Sequence, residues 1–295
     1  MLAPTPYFSD RGCHVRIFEE AKSLKTLGHD VIIVTYHLGR DVGDIPVVRI
    51  PQIPWYKKVS AGPSWHKPYL DILLLYKALA TAKKFHPDIV HAHLHEGAFL
   101  AGIAKRSFNA PILFDCQGSL TGELLYHRFM NRDGWLHRLF GRLEQWITLR
   151  VDHIVTSSTP TADLLRETFP DIAGRLTPLV DAVDTETFKP ESKDEKLLKA
   201  LGVPEGKKLI VYLGAMTTYQ GVDLLIDYVE LLSEKRDDFH LLLMGYPEKP
   251  YREKIEERNL LDCVTLTGKL NYDDAARYLA LGDIAVSPKL SDTEA

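Results

Sequence analysis

Residues 28–36 read Gly28-His29-Asp30-Val31-Ile32-Ile33-Val34-Thr35-Tyr36. The residues before them, 14–27, repeat their apolar positions at the period of a helix, and Gly28 is the kind of residue that closes one. The run from Val31 onward is continuously apolar rather than alternating. Such a run suits a strand covered on both faces, as in a parallel sheet. Strand patterns recur at 47–50, 88–92, 111–115, 152–157, 208–213, 239–244, 262–267 and 283–287. Helical patterns recur at 69–85, 134–150, 221–235, 250–259 and 272–281. Repeated strand–helix–strand order predicts an α/β protein built from doubly wound parallel sheets.

The stretch 181–207 breaks this rhythm, being charged and holding two prolines with one short helical piece. We read residues 1–180 as a first Rossmann-like domain, and 181–295 as a connection followed by a second domain. The second domain has about four strands where a complete doubly wound half has five or six. Met1-Leu2-Ala3 is too short for a first strand, although Pro4 to Gly12 reads as the loop after one. The expectation is a chain abbreviated at both ends.

Composition narrows the class. Apolar residues make up 45% and charged residues 26%, as in ordinary globular proteins. The net charge of −4 is uneven, with residues 1–180 at +4 and residues 181–295 at −8. Cys13, Cys116 and Cys263 are far apart with no C-x-x-C, which argues against a disulfide framework or a zinc cluster and for a reducing compartment. No leader pattern and no run of about 20 apolar residues is seen. The expected location is the cytoplasm, and nothing in the pattern suggests a nucleic-acid partner.

Chemistry belongs in the loops after strands. Gly12, opening a helix, offers backbone N–H groups to a phosphate, although a plain strand-to-helix turn would look the same. Two histidines end the third strand pattern, His91 and His93, and we expect them on opposite faces, with His91 packed in the sheet and His93 at its edge. Zinc binding by His91, His93 and His95 lacks an evident fourth ligand, and no metal is expected. Asp181-Ala182-Val183-Asp184 looks like a metal-binding D-x-D, but its place in the linker favours a turn cap at Asp184. In the second domain the corresponding loops are 214–221, 245–248, 268–270 and 289–294.

The segments Arg11-Gly12-Cys13-His14-Val15-Arg16-Ile17-Phe18-Glu19-Glu20-Ala21, Leu27-Gly28-His29-Asp30-Val31, Pro87-Asp88-Ile89-Val90-His91-Ala92-His93, Val183-Asp184-Thr185-Glu186-Thr187-Phe188-Lys189-Pro190 and Gly221-Val222-Asp223-Leu224-Leu225 together resemble family 4 retaining glycosyltransferases, in the expected order over nearly the whole chain. The resemblance implies the GT-B architecture of two Rossmann-like domains, with acceptor held mostly by the first and nucleotide-sugar donor mostly by the second. It implies a hexosyltransferase acting in cell-envelope glycan or glycolipid synthesis, with a glycan or lipid-linked acceptor and no cofactor beyond the donor substrate. Carried over by position, Gly12 sits under the donor diphosphate, His93 contacts the transferred sugar, and Glu294 is the first of two donor-holding glutamates. Gly214, Gln220, Gly245 and Lys269 fall in the donor-side loops.

This sequence departs from the family where an arginine and a lysine usually meet the diphosphate, since Ala215 and Gln220 stand there. The developing negative charge on the leaving nucleotide needs cations. Lys289 and Arg11 are the candidates. Aromatic and basic residues interleave at Trp55-Tyr56-Lys57-Lys58, Trp65-His66-Lys67 and 126–142. That pattern suits peripheral contact with an anionic membrane surface, and equally suits core aromatics under a solvated charged face. Two rivals to a transferase remain open here. One is a sugar-nucleotide epimerase on the same scaffold; the other is a non-catalytic fragment binding acceptor, membrane or a partner subunit.

Overall fold

The computed structural model describes residues 1–59, 62, 64–126, 129–132 and 134–289. One compact unit covers Met1–Ala182, and a second begins at Val183. The first unit carries strands β1 (Leu2–Ala3), β2 (Ile33–Thr35), β3 (Val47–Arg49), β4 (Val90–His93), β5 (Ile112–Cys116), β6 (His153–Thr156) and β7 (Leu176–Pro178). All are parallel, in the order β3-β2-β1-β4-β5-β6-β7. Its helices are α1 (Gly12–Thr26), α2 (Lys67–Phe85), α3 (Leu94–Ile103), α4 (Lys105–Phe108), α5 (Leu120–Tyr126), α6 (Trp135–Arg150) and α7 (Thr159–Thr168).

The second unit opens with α8 (Glu195–Ala200) and alternates from there: β8 (Lys208–Ala215), α9 (Val222–Ser233), β9 (Phe239–Tyr246), α10 (Lys249–Glu257), β10 (Val264–Gly268), α11 (Tyr272–Leu279) and β11 (Ile284–Ala285). These four strands are parallel in the order β10-β9-β8-β11. Leu241, Leu242, Leu243 and Met244 of β9 are all fully buried, the two-sided coverage that their unbroken apolar run predicts.

In both sheets the chain lays its first strands out in one direction, then returns to the other side of the starting strand. The reversal lies between β1 and β4 in the first unit, and between β8 and β11 in the second. Loops leaving two such strands diverge, and the crevice between their carboxyl ends is where open α/β sheets hold ligands. Topology therefore singles out the loops after β1, β4, β8 and β11.

Several elements differ from the expectation. Leu2–Ala3 is a strand after all, because β2 and β4 flank it and each supplies a ladder to so short a segment. The run after His93 is helix α3 rather than loop. Helices α5 and α7 and strand β7 were not anticipated. The start of α7 carries a readable signal in Ser158, whose hydroxyl accepts from the Thr161 N–H, with proline in the first turn. Pro178 hides β7, since proline argues against a strand everywhere except an edge, and β7 is an edge.

At the ends of β8 and β9, Gly214 and Gly245 stand opposite one another in register. A Cβ on Gly245 would lie 1.9 Å from the Gly214 carbonyl oxygen, whereas a Cβ on Gly12 would meet nothing within 4 Å. Gly245→Ala is therefore expected to lose at least about 2 kcal/mol of unfolding free energy through forced backbone displacement. Gly12→Ala should stay within about 0.5 kcal/mol of the parent. Urea unfolding of the two variants side by side measures the contrast, and equal losses would contradict it.

Candidate functional site

The loop from Pro4 to Arg11, after β1, is pinned by His14 on the buried face of α1. The Ser9 backbone N–H donates to His14 Nδ1 at 2.9 Å, so the ring proton sits on Nε2, 2.6 Å from Thr5 Oγ1. Gly12 is the first residue of α1, with Arg11 in an extended conformation before it.

One turn further, Arg16 and Glu20 lie four residues apart and so share a helix face. Arg16 is almost wholly buried. Its Nε donates to Asp115 Oδ1 at 2.8 Å, and its Nη1 donates to the Leu179 carbonyl at 2.9 Å and to Asp181 at 2.6 Å. Asp115, fully buried at the end of β5, also receives a bond from Gln117 Nε2 at 2.7 Å. Its other neighbour is His93, the last residue of β4 and its register partner, with Nδ1 at 3.0 Å from Asp115 Oδ2.

Burial alone would push the Asp115 carboxyl up. The His93 hydrogen bond and the Arg16 guanidinium outweigh it and hold the group well below the usual carboxylate range. Glu20 moves the other way, pushed up by burial and by the Asp115 charge, with Arg16 only partly offsetting them. Asp115 differs from Glu20 in having the His93 hydrogen bond as well as the guanidinium. His91 and His93 are both held below the ordinary histidine range, first by burial. They are neutral imidazoles at neutral pH.

His91 and His93 do not point to opposite faces as expected. Their rings stack with centroids 4.2 Å apart, because residues two apart on a strand share a face. No part of His93 is exposed, and its Nε2 is buried without a hydrogen-bond partner. His95 belongs to another cluster. It lies in α3, with Nε2 3.4 Å from Glu144 of α6. Glu144 accepts from the Leu120 and Thr121 N–H groups and from the Thr121 hydroxyl, at 3.0, 3.3 and 3.1 Å. This buried acid fixes the loop that runs from Gln117 into α5.

The donor-side residues of the second unit gather at one sheet edge. Gly214 and Gly245 end β8 and β9, Lys269 follows β10, and Lys289 follows β11 with an exposed side chain. Gln220 sits in a 3-10 turn before Gly221. Gly221 has φ +72°, and a Cβ there would lie 1.8 Å from the Pro288 carbonyl oxygen. The loops carrying Gln220 and Lys289 therefore touch. Glu294 lies outside the described residues. Asp184 does cap a turn, accepting from the Glu186 N–H at 3.0 Å, while Asp181 reaches Arg16 instead of acting as linker.

Arg16, Glu20, Asp115 and Glu144 were given no role from sequence. One signal was present: Asp115 ends an apolar strand, an odd place for a charge without a partner, and Arg16 has Glu20 four residues on along the same helix face.

Burial pushes the Glu144 carboxyl up, but His95, the Leu120 amide and Thr121 outweigh it and bring the group to about 2. For His95, burial lowers the pKa, while Cys116 and Glu144 raise it to about 10. Both values describe one interaction and count once. The Glu144 contribution, about 3 kcal/mol, is present above the ordinary carboxylate pKa and lost as pH falls from about 4.5 through about 2. The His95 side is present below pH 6.5 and lost as pH rises through about 10. Unfolding free energy measured across pH should fall at both ends in the parent, and Glu144→Gln should flatten the acid limb. A parallel acid limb in the variant would refute the assignment.

A profile described as Glycosyltransferase Family 4 matches residues 11–187, and one described as Glycosyl transferases group 1 matches 193–295. The chain is 24% identical over 302 residues to the sulfoquinovosyl transferase SQD2 of Arabidopsis thaliana, covering 99% of this chain and 55% of that protein. It is 25% identical to the alpha-monoglucosyldiacylglycerol synthase of Streptococcus pneumoniae, covering 93% of this chain and 63% of the relative. The chain thus spans a little over half of the length of these relatives. Among solved structures, sucrose-phosphate synthase from Thermosynechococcus elongatus superposes with a TM-score of 0.75 at 16% identity, over 97% of this chain and 75% of the other. Anabaena HepE in complex with UDP and glucose gives 0.68 at 15%, over 96% and 72%. Two parallel-sheet units in sequence, the second with four strands, together with a family match across most of the first, place this chain in Glycosyltransferase Family 4, with the GT-B fold.

Proposed function

We propose that the whole protein moves a hexose from a nucleotide diphosphate donor to a glycan or lipid-linked acceptor with retention of configuration. The observation that carries this reading is Gly12. It opens a helix of 15 residues at the reversal point of the first sheet, and a Cβ there would meet nothing within 4 Å among the described residues. Open space over helix N–H groups suits a phosphate. The names of the relatives support the chemistry, since one is a sulfoquinovosyl transferase and another a glucosyldiacylglycerol synthase.

In this proposal the diphosphate rests over the first turn of α1. Lys289 and Arg11 supply the positive charge that Ala215 and Gln220 lack, and the contact between the Gln220 and Lys289 loops favours such a substitution. Gly214, Gly245 and Lys269 line the donor side. The role of His93 requires the sugar to reach an unbonded Nε2 that is fully buried in this structure, and Glu294 holds sugar hydroxyls. Asp115 and Arg16 position His93 and do not themselves react. The leaving phosphate accepts the acceptor proton, and no metal takes part.

The lipid-linked acceptor has support on the surface of the first unit. Trp65 is 90% exposed and packs 6.4 Å from Phe129. Along α6, Trp135, Arg138, Leu139, Arg142 and Leu149 are exposed at helical spacing, an apolar and basic stripe suited to an anionic membrane surface. Tyr56, by contrast, is core. His127, Arg128 and Asp133 lie outside the described residues. Among the described residues, no helix is long and apolar enough to cross a membrane.

The enzyme assay uses the full-length protein with candidate donors, and proton NMR of the product reads the anomeric configuration. His93→Ala should lose turnover by at least a hundredfold while keeping nucleotide binding, and Gly12→Ala should lose turnover with little change in stability. Unaltered turnover in both variants would sink the reading. For the membrane contact, sedimentation with phosphatidylglycerol vesicles should pull down the parent at low salt. A variant with Arg138→Glu and Arg142→Glu should stay in solution; equal sedimentation would remove the stripe from the account.

A further inference from the structure

We infer that Glu20, His91 and His93 form a binding site for one borderline divalent cation of the zinc and cobalt class. Each residue offers one ligand atom, and the three atoms lie within 4.8 Å of one another. Glu20 Oε2 stands 3.6 Å from His91 Nε2 and 3.9 Å from His93 Nδ1. Those separations are too long for hydrogen bonds. They are close to the spacing of about 3.4 Å that ligand atoms take around a tetrahedral ion with metal–nitrogen bonds of about 2.0–2.1 Å. The three ligand atoms lie within 4.8 Å of one another, so closing on an ion draws the widest pair in by up to about 1.4 Å.

The second observation is what these atoms lack. His91 is 7% exposed and His93 is fully buried, and the Nε2 atoms of both are without hydrogen-bond partners, as are both Glu20 oxygens. Glu20 Oε1 keeps an ionic contact of 2.9 Å with Arg16, which leaves Oε2 as the lobe turned to the imidazoles. Buried polar atoms are nearly always paired, so an unpaired His91 Nε2 lying 3.6 Å from an unpaired Glu20 Oε2 marks a missing partner.

The charge balance accepts a cation. Arg16 is the one cationic side chain in contact with Glu20, Asp115 and Asp181 among the described residues, so three carboxylates share a single guanidinium. Two imidazoles and one carboxylate select zinc or cobalt over magnesium or calcium, which favour all-oxygen shells. His93 Nδ1 also lies 3.0 Å from Asp115 Oδ2, so binding through that nitrogen exchanges the Asp115 hydrogen bond for the ion. An ion held here engages His93, so metal and sugar compete for it. That consequence rests on the transferase reading, whereas the binding itself does not.

The test titrates the chelator-treated protein with zinc by calorimetry, and with cobalt by visible absorption. We expect one ion per chain, with cobalt bands of a low-coordinate site, and at least a tenfold loss of affinity in His91→Ala and in the near-isosteric Glu20→Gln. A variant with all three cysteines changed to serine should bind as the parent does. Circular dichroism establishes that each variant is folded, and Glu20→Gln carries the test if His91→Ala is not. Absence of binding in the parent, affinity unchanged in folded Glu20→Gln, or affinity lost with the cysteines would each overturn the proposal. If binding holds but zinc leaves full-length turnover untouched, the competition at His93 is wrong and the site stands.

Discussion

The first unit is organised around a buried ion pair between Arg16 and Asp115. Their side chains are 5% and 0% exposed, and the guanidinium also reaches the Leu179 carbonyl and Asp181. One group thereby links α1, the end of β5 and the chain leaving β7. Removing either partner would strand a buried charge, at a cost of about 3–5 kcal/mol. Such pairs rarely add much net stability, but they fix geometry. Here the geometry fixed is that of His93, because the second Asp115 oxygen holds its Nδ1.

A second buried acid has a similar role nearby. Glu144 gathers the first amides of α5 and the hydroxyl of Thr121, and pairs with His95. It holds in place the loop in which Gln117 reaches Asp115. The two clusters place one buried carboxylate at the end of β5 and another on α6 beside the loop that follows it. Both depend on charges placed where apolar residues would ordinarily go. A sheet edge tolerates such charges when they find partners, as Asp115 does in Arg16 and His93.

The glycines divide by cause. Gly245 and Gly221 are required by the protein, since backbone oxygens occupy the space a Cβ would need. Gly12 has no such constraint, since a Cβ there would meet nothing within 4 Å among the described residues. In the sequence all three look alike, and only the folded structure shows which of them packing requires.

Much of the architecture was readable from apolar runs and their punctuation. Continuous apolar runs set the strands at 239–244 and 208–213, and Gly28 marks the end of α1, because burial on both faces and helix termination are local demands. The ordered motifs at Gly12, His91-Ala92-His93 and Gly221 were sufficient for the family. Tertiary structure decided the rest, because it depends on contacts between residues far apart in the chain. Leu2–Ala3 is a strand only because β2 and β4 flank it. Arg16 meets Asp115 across 99 residues and Asp181 across 165. The shared face of His91 and His93 follows from the strand period, but their meeting with Glu20 follows from how α1 packs on the sheet.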